Sequence, residues 1–172
     1  MGEAHVKYTK NLKLLIFSDT HRRIDTAVRV ANTISNLNHI IHLGDMAADA
    51  MRISDKLGRE VISVNGNCDG DFSGGNYKIL EVECGDILLI HGHMESVKSS
   101  LSNLFYRTLE LDCRGAFFGH THVAEIAEAE GITLVNPGSI SLPRPGDYPS
   151  YAVVETDMRG ISATIVYVRD RY

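Results

Sequence analysis

Leu12-Lys13-Leu14-Leu15-Ile16-Phe17-Ser18-Asp19-Thr20-His21 decides the fold. Residues 12–17 are a short, almost wholly apolar run, the mark of a strand buried on both faces. It stops abruptly in the polar quartet Ser18-Asp19-Thr20-His21. Beyond it, Ile24, Ala27, Val28, Ala31 and Ile34 recur at helical spacing, which predicts a helix over 24–36. The unit then repeats. A second apolar run, 39–43, ends in Gly44-Asp45; residues 46–57 read as a helix stopped by Gly58; a third strand, 61–64, ends in Asn65-Gly66-Asn67-Cys68-Asp69. Strand, polar turn and helix, twice over and followed by a strand, imply parallel strands with crossover helices.

Downstream the pattern changes. Residues 71–76 are glycine-rich and read as a loop; 77–83 and 86–90 flank Cys84-Gly85 as an antiparallel hairpin, followed by His91-Gly92-His93. Val97, Leu101, Leu104, Phe105 and Leu109 predict a helix over 96–109. A short buried strand, 115–118, runs into Gly119-His120-Thr121-His122, and four further strands are expected at 123–129, 132–135, 151–155 and 161–168. One α/β domain spanning 1–172, with two sheets and outer helices, is the economical architecture; residues 1–11 read as a flexible polar tail.

Hydrophobic content of 44% and charged content of 23% are ordinary for a globular chain. The net charge of −5 supplies no basic field for nucleic acid or an anionic membrane, yet leaves small phosphate substrates open. No apolar run reaches the ~18 residues of a membrane span, and the N-terminal stretch lacks a signal peptide's apolar core. Cys68, Cys84 and Cys113 are odd in number and scattered, which fits a reducing cytoplasm better than a disulfide framework or a structural zinc site.

The chemistry is positional. Polar residues at the carboxyl ends of strands in an α/β sheet converge on one crevice. Asp19 and His21, two apart in an extended segment, can grip one ion. Asp45 can bridge two cations about 3.5–4 Å apart. The Asn67 amide oxygen is a neutral ligand, and His91, His120 and His122 complete a mixed set suited to several metals. Each has a plainer reading: Asp19 and Asp45 as helix caps, Gly66-Asn67 as a turn, a lone His91 as structural. Their joint occurrence at strand ends, in consistent order, favours a metal centre.

Asp19-x-His21, Gly44-Asp45, Gly66-Asn67, His91 and Gly119-His120-x-His122 resemble the signature of the calcineurin-like metallophosphoesterases, in particular the small single-domain phosphodiesterases. Asn136-Pro137-Gly138-Ser139 also fits that group, and the resemblance runs from about Lys13 to the end. It implies an αββα sandwich of two mixed sheets flanked by helices, with a dinuclear site at one edge. Asp19, His21 and His122 would hold one divalent ion, Asn67, His91 and His120 the other, and Asp45 would bridge them. Manganese is the first expectation, with nickel, zinc, iron or magnesium as alternatives. The implied reaction is phosphodiester hydrolysis by a hydroxide bridging the two ions, with Asp45, Asn67 and His91 as catalytic residues and Asn67, His93 and Cys68 against the substrate.

Two departures matter. Many members carry histidine after the Gly-Asn pair, where Cys68 stands here; a thiol of pKa ~8.5 is a poorer acid near neutrality and favours good leaving groups. Cys68 also reads simply as a small packing residue. Asp49 lies four residues after Asp45, one more than in some relatives, and reads as an exposed helix carboxylate without a metal role. Arg22, Arg23 and Arg144 read as solvated, though near enough to site loops to hold a phosphate. His5, His39 and His42 read as structural or exposed. The rival function is a protein-interaction scaffold on the same fold, as resembles the eukaryotic retromer subunit; a nuclease is disfavoured by the acidic balance. The expected partner is a small phosphoester, and a homo-oligomer is compatible with the sequence because an isologous contact leaves no sequence mark.

Overall fold

The computed structural model describes residues 5–7, 11–70 and 75–169. The elements in chain order are β1 (His5–Lys7), β2 (Leu12–Phe17), α1 (Asp25–Thr33), β3 (His39–His42), α2 (Ala47–Leu57), β4 (Val61–Ser63), β5 (Tyr77–Glu81), β6 (Ile87–Ile90), α3 (Ser102–Glu110), β7 (Gly115–Phe117), β8 (Ala124–Ala129), β9 (Ile132–Pro137), β10 (Ser150–Asp157) and β11 (Gly160–Tyr167). One sheet has the order β11-β10-β2-β3-β4, the other β1-β5-β6-β7-β9-β8. β2, β3 and β4 run parallel, with β10 antiparallel to β2. β6, β7 and β9 are likewise parallel, bordered by antiparallel β5 and β8. Both sheets are therefore mixed.

Alternation along β2 shows why its run is apolar throughout. Leu14 and Ile16 join Ile41, Leu43, Leu89, Phe117 and Val135 in the layer between the sheets. Leu15 and Phe17 point the other way, onto Ile24, Ala27, Val30 and Ile53 of the α1–α2 side. On the far sheet, Leu88, Ile90, Ala116 and Phe118 pack with Val97 and with Leu104 of α3. The result is the four-layer αββα sandwich, with helices outside two face-to-face sheets. The helical stripe of α2 ends where Gly58 turns left-handed (φ 62°) and its N–H bonds the Ser54 carbonyl. No helix among the described residues is long and apolar enough to cross a membrane.

Three local expectations change. Residues 5–7, read as part of a tail, form β1 on β5; edge pairing uses backbone groups and needs no apolar pattern. The helix expected from 96 begins at Ser102. Ser96 is left-handed (φ 56°), and residues 96–100 turn instead, while Val97 still reaches the core. The glycine-rich loop at 71–76 falls largely outside the described residues.

Candidate metal centre

The strand ends β2, β3, β4, β6 and β7 open into five loops stitched to one another. Asp19 N–H donates to the Gly44 carbonyl (3.2 Å), Gly119 N–H to the His91 carbonyl (3.1 Å) and Val64 N–H to the His42 carbonyl (3.2 Å). The two sheets meet where Gly119 lies against Ser18, leaving no room for a Cβ. Eight of the eleven left-handed non-glycine residues among those described sit in these loops: Asp19, His21, Arg22, Asp45, Met46, Ser96, His120 and His122. Such backbone is disfavoured for L residues and persists only where surrounding contacts enforce it.

Ligand-type atoms of Asp19, His21, Asp45 and His122 lie within 4.8 Å of one another, and so do those of Asp45, His91 and His120. Asp45 belongs to both groups. His122 Nε2 is 3.3 Å from His21 Nε2 and 3.2 Å from Asp19 Oδ1. His91 Nε2 is 3.3 Å from Asp45 Oδ1, and its ring lies 5.0 Å from that of His120. Asn67 stands exposed beside them, its amide nitrogen 3.4 Å from Cys68 Sγ, and Cys68 N–H donates to Asp45 Oδ1 (3.1 Å). The His93 ring is 5.4 Å from His91 and 6.1 Å from His120 but belongs to neither group. Arg22 and Arg23 are exposed, and Arg144 spends its Nε–H on the Thr121 carbonyl (2.8 Å).

Two contacts fix the imidazoles. His91 Nδ1 lies 2.6 Å from the Leu43 carbonyl and His122 Nδ1 2.6 Å from the Leu142 carbonyl. A carbonyl only accepts, so each Nδ1 donates to it and each Nε2 is turned inward. Each Nε2 faces a carboxylate oxygen, a contact that needs a proton or a cation between the two atoms to be favourable. Neither contact has hydrogen-bond geometry; Asp19 Oδ1 and His91 Nε2 are buried without a hydrogen-bond partner. A cation between them satisfies all of these atoms at once.

Without a cation, burial and the neighbouring side chains set the charges of these groups. Burial raises the Asp19 carboxyl, but His122 and then His91 more than reverse this and hold it below its ordinary range. Burial, reinforced by His91 and Lys98, pushes His120 down to about 4, so it is a neutral donor. Burial lowers His93 too, with His91 adding to the effect. His122 is raised by the adjoining Asp19. Partial burial and the Asp45 carboxylate raise the Cys68 thiol, which keeps it protonated near neutrality.

The sequence reading misplaced one residue. Asp49 is not an exposed helix carboxylate: it is 1% exposed and accepts from Thr20 Oγ1 (2.7 Å), Arg22 N (2.6 Å) and Arg52 (3.1 Å). The available signal was its place four residues before buried Ile53, on the same side of α2. His42 is fully buried, pushed down to about 4 by burial, and sits 3.0 Å from Thr20 Oγ1. Behind the site, Asn136 Nδ2 donates to the Gly119 carbonyl (2.9 Å) and Thr121 Oγ1 (3.0 Å). Ser139 Oγ donates to the Asp19 carbonyl (2.8 Å) and Ser141 Oγ lies 2.6 Å from that of Thr20.

Residues 12–159 match the family described as "Calcineurin-like phosphoesterase superfamily domain". The probable metallophosphoesterase YsnB of Bacillus subtilis is 33% identical over 146 residues, 83% of each chain. Phosphodiesterase YfcE of Escherichia coli K12 is 26% identical over 88% of this chain and 92% of its own. In fold, the chain is similar to Vacuolar Protein Sorting 29 of Cryptosporidium parvum, with a TM-score of 0.77 at 18% identity, covering 94% of this chain and 93% of that one. With its strand-end carboxylates and imidazoles in two adjoining groups and the match spanning most of its length, the chain belongs to the calcineurin-like phosphoesterase superfamily.

Proposed function

We propose that this protein is a metal-dependent phosphodiesterase with two divalent cations. The observation that carries the reading is the pair of carbonyl-fixed imidazoles, His91 and His122, turning their Nε2 atoms onto Asp45 and Asp19 oxygens at 3.3 and 3.2 Å. Asp19, His21 and His122 would hold one cation, His91, His120 and Asn67 the other, with the Asp45 carboxylate shared between them. When bound, the pair would supply Lewis acidity toward phosphate oxygens and acidify the attacking water.

The chain's own contributions follow from its donor set. Only Asp19 and Asp45 bring negative charge, so the loaded centre stays electropositive and attracts a phosphodiester anion. Neutral Asn67 adds a donor N–H at the exposed rim without repelling phosphate, and Asp45 is held by Cys68 N–H. Cys68, with its raised pKa, is a weak proton donor to a departing alkoxide, which favours esters whose leaving groups need no protonation. His93, beside His91 and His120, is placed to meet a bound ester.

The similarity to Vacuolar Protein Sorting 29 supports a second reading, a weakly catalytic interaction scaffold. One experiment separates the two. The protein is stripped by chelation, reconstituted singly with Mn²⁺, Ni²⁺, Zn²⁺, Fe²⁺ and Mg²⁺, and assayed on bis(p-nitrophenyl) phosphate. The enzyme reading expects turnover restored by metal, highest with Mn²⁺, and abolished in Asp45→Ala. Turnover that survives both chelation and Asp45→Ala refutes the mechanism; metal binding with no turnover of any ester favours the scaffold.

A further inference from the structure

The turn that carries Asp19 and His21 is left-handed at Asp19 (φ 54°), His21 (43°) and Arg22 (68°). Something must hold it, and the buried groups beneath it form one directed chain. Gly44 N–H donates to His42 Nδ1 (3.3 Å), which leaves the ring proton of neutral His42 on Nε2. Nε2 is 3.0 Å from Thr20 Oγ1, and the Thr20 hydroxyl donates to Asp49 Oδ2 (2.7 Å). The same Asp49 oxygen accepts Arg22 N–H (2.6 Å). From Gly44 to Asp49 every bond points the same way once Gly44 sets the tautomer, and Arg22 N–H meets Asp49 from the other side.

Its ends are informative. Thr20 lies between Asp19 and His21; Gly44 directly precedes Asp45. The chain therefore ties together the two loops whose carboxylates share one group of ligand-type atoms, and anchors both to α2 through Asp49. His42, Thr20 and Asp49 are themselves at most 1% exposed, so they touch neither solvent nor substrate.

We propose that His42, Thr20 and Asp49 are positioning residues that fix the spacing of Asp19 and His21 relative to Asp45, and so set the affinity of that site for a divalent cation. The inference rests on the metal reading above. Thr20→Val keeps the side-chain shape and deletes the hydroxyl that joins His42 to Asp49; Thr20→Ser restores it. Asp49→Asn, which replaces one of the two acceptor oxygens shared by Thr20, Arg22 and Arg52 with a donor, is the second loss-of-affinity variant should Thr20→Val fail to fold.

The test is titration calorimetry of the metal-free full chain with Mn²⁺, beside thermal melting without metal and the kcat and KM of the loaded protein for bis(p-nitrophenyl) phosphate. Removing groups that orient metal ligands typically weakens binding 10–100-fold. Thr20→Val is expected to lose at least tenfold in Mn²⁺ affinity at one site, with kcat falling and KM little changed. Thr20→Ser is expected to stay within about threefold of wild type, and Asp49→Asn to lose Mn²⁺ affinity in the same direction as Thr20→Val; wild-type affinity in a folded Asp49→Asn protein also overturns the proposal. A lower melting temperature in Thr20→Val with unchanged Mn²⁺ affinity makes the chain merely structural and overturns the proposal. Failure of the wild type itself to bind Mn²⁺ overturns the metal reading instead, and is distinguishable because no variant is needed to see it.

Discussion

Replacing Gly66 by alanine perturbs the centre without removing any ligand. Gly66 has no left-handed backbone, so alanine carries no conformational penalty there; only space opposes it. A Cβ at this position would fall deep inside van der Waals contact of both Asp45 N and Asp45 Oδ1, and 3.0 Å from Asp45 Cα, where ordinary contact begins near 3.4 Å. Two of these atoms are backbone and the third is an oxygen of the carboxylate that belongs to both groups of ligand-type atoms, so no flexible side-chain end can swing away. The 43–46 or 65–69 loop must yield by about 1 Å, and a misplacement of that size in a reacting constellation costs on the order of 100-fold in rate. Global stability should fall by only about 1–3 kcal/mol, the usual result of overpacking. Steady-state hydrolysis of bis(p-nitrophenyl) phosphate, Mn²⁺ calorimetry and urea unfolding measure the three quantities together. Gly58→Ala is the control: its Cβ meets nothing within 4 Å, and its left-handed φ of 62° costs about 1 kcal/mol of stability with activity unchanged. A Gly66→Ala protein within twofold of wild type in rate and Mn²⁺ affinity would refute the claim that Asp45 is positioned by this close approach.

Asn136→Asp sets a carboxylate against the Gly119 carbonyl it now donates to; an expected loss of about 1–3 kcal/mol, with weaker Mn²⁺ binding as the 119–122 loop loosens, is read by urea unfolding and calorimetry, and wild-type values in both count against it. Cys68→His supplies an acid near neutrality where the thiol is raised and should increase kcat/KM for alkyl phosphodiesters more than for aryl ones; equal gains mean that Cys68 does not limit leaving-group departure. His42, held down to about 4 by burial, binds fewer protons folded than unfolded, where it titrates near ~6.5. Its contribution is fully present above that value and fades as pH falls toward 4, by on the order of 3 kcal/mol. Urea unfolding of the metal-free wild type and His42→Gln should therefore show a stability gap that narrows as pH drops; parallel curves would contradict the assignment.

The strands and the polar, Asp- and His-bearing loops at their ends were legible because both are written in local pattern. The 12–17 run is apolar on alternate residues for two different reasons, Leu14 and Ile16 facing the other sheet and Leu15 and Phe17 facing α1 and α2, and its break at Ser18-Asp19 marks the strand end directly. The devices that aim the ligands were not legible, because they are long-range. Ser139 reaches the Asp19 carbonyl across 120 residues, and Asp49, an ordinary exposed carboxylate by sequence, becomes buried only when α2 docks and the Thr20 hydroxyl and Arg22 N–H arrive. Likewise His5–Lys7 joins a sheet through backbone pairing that no side-chain period announces. Local propensity argues against left-handed Asp19, His21 and Arg22. The conformation survives because Asp49, Ser139 and Ser141 take up the polar groups of that turn. The disagreement between local preference and observed backbone thus falls on residues of the candidate metal groups, where tertiary hydrogen bonds hold a strained turn in the one shape that brings Asp19 and His21 toward Asp45.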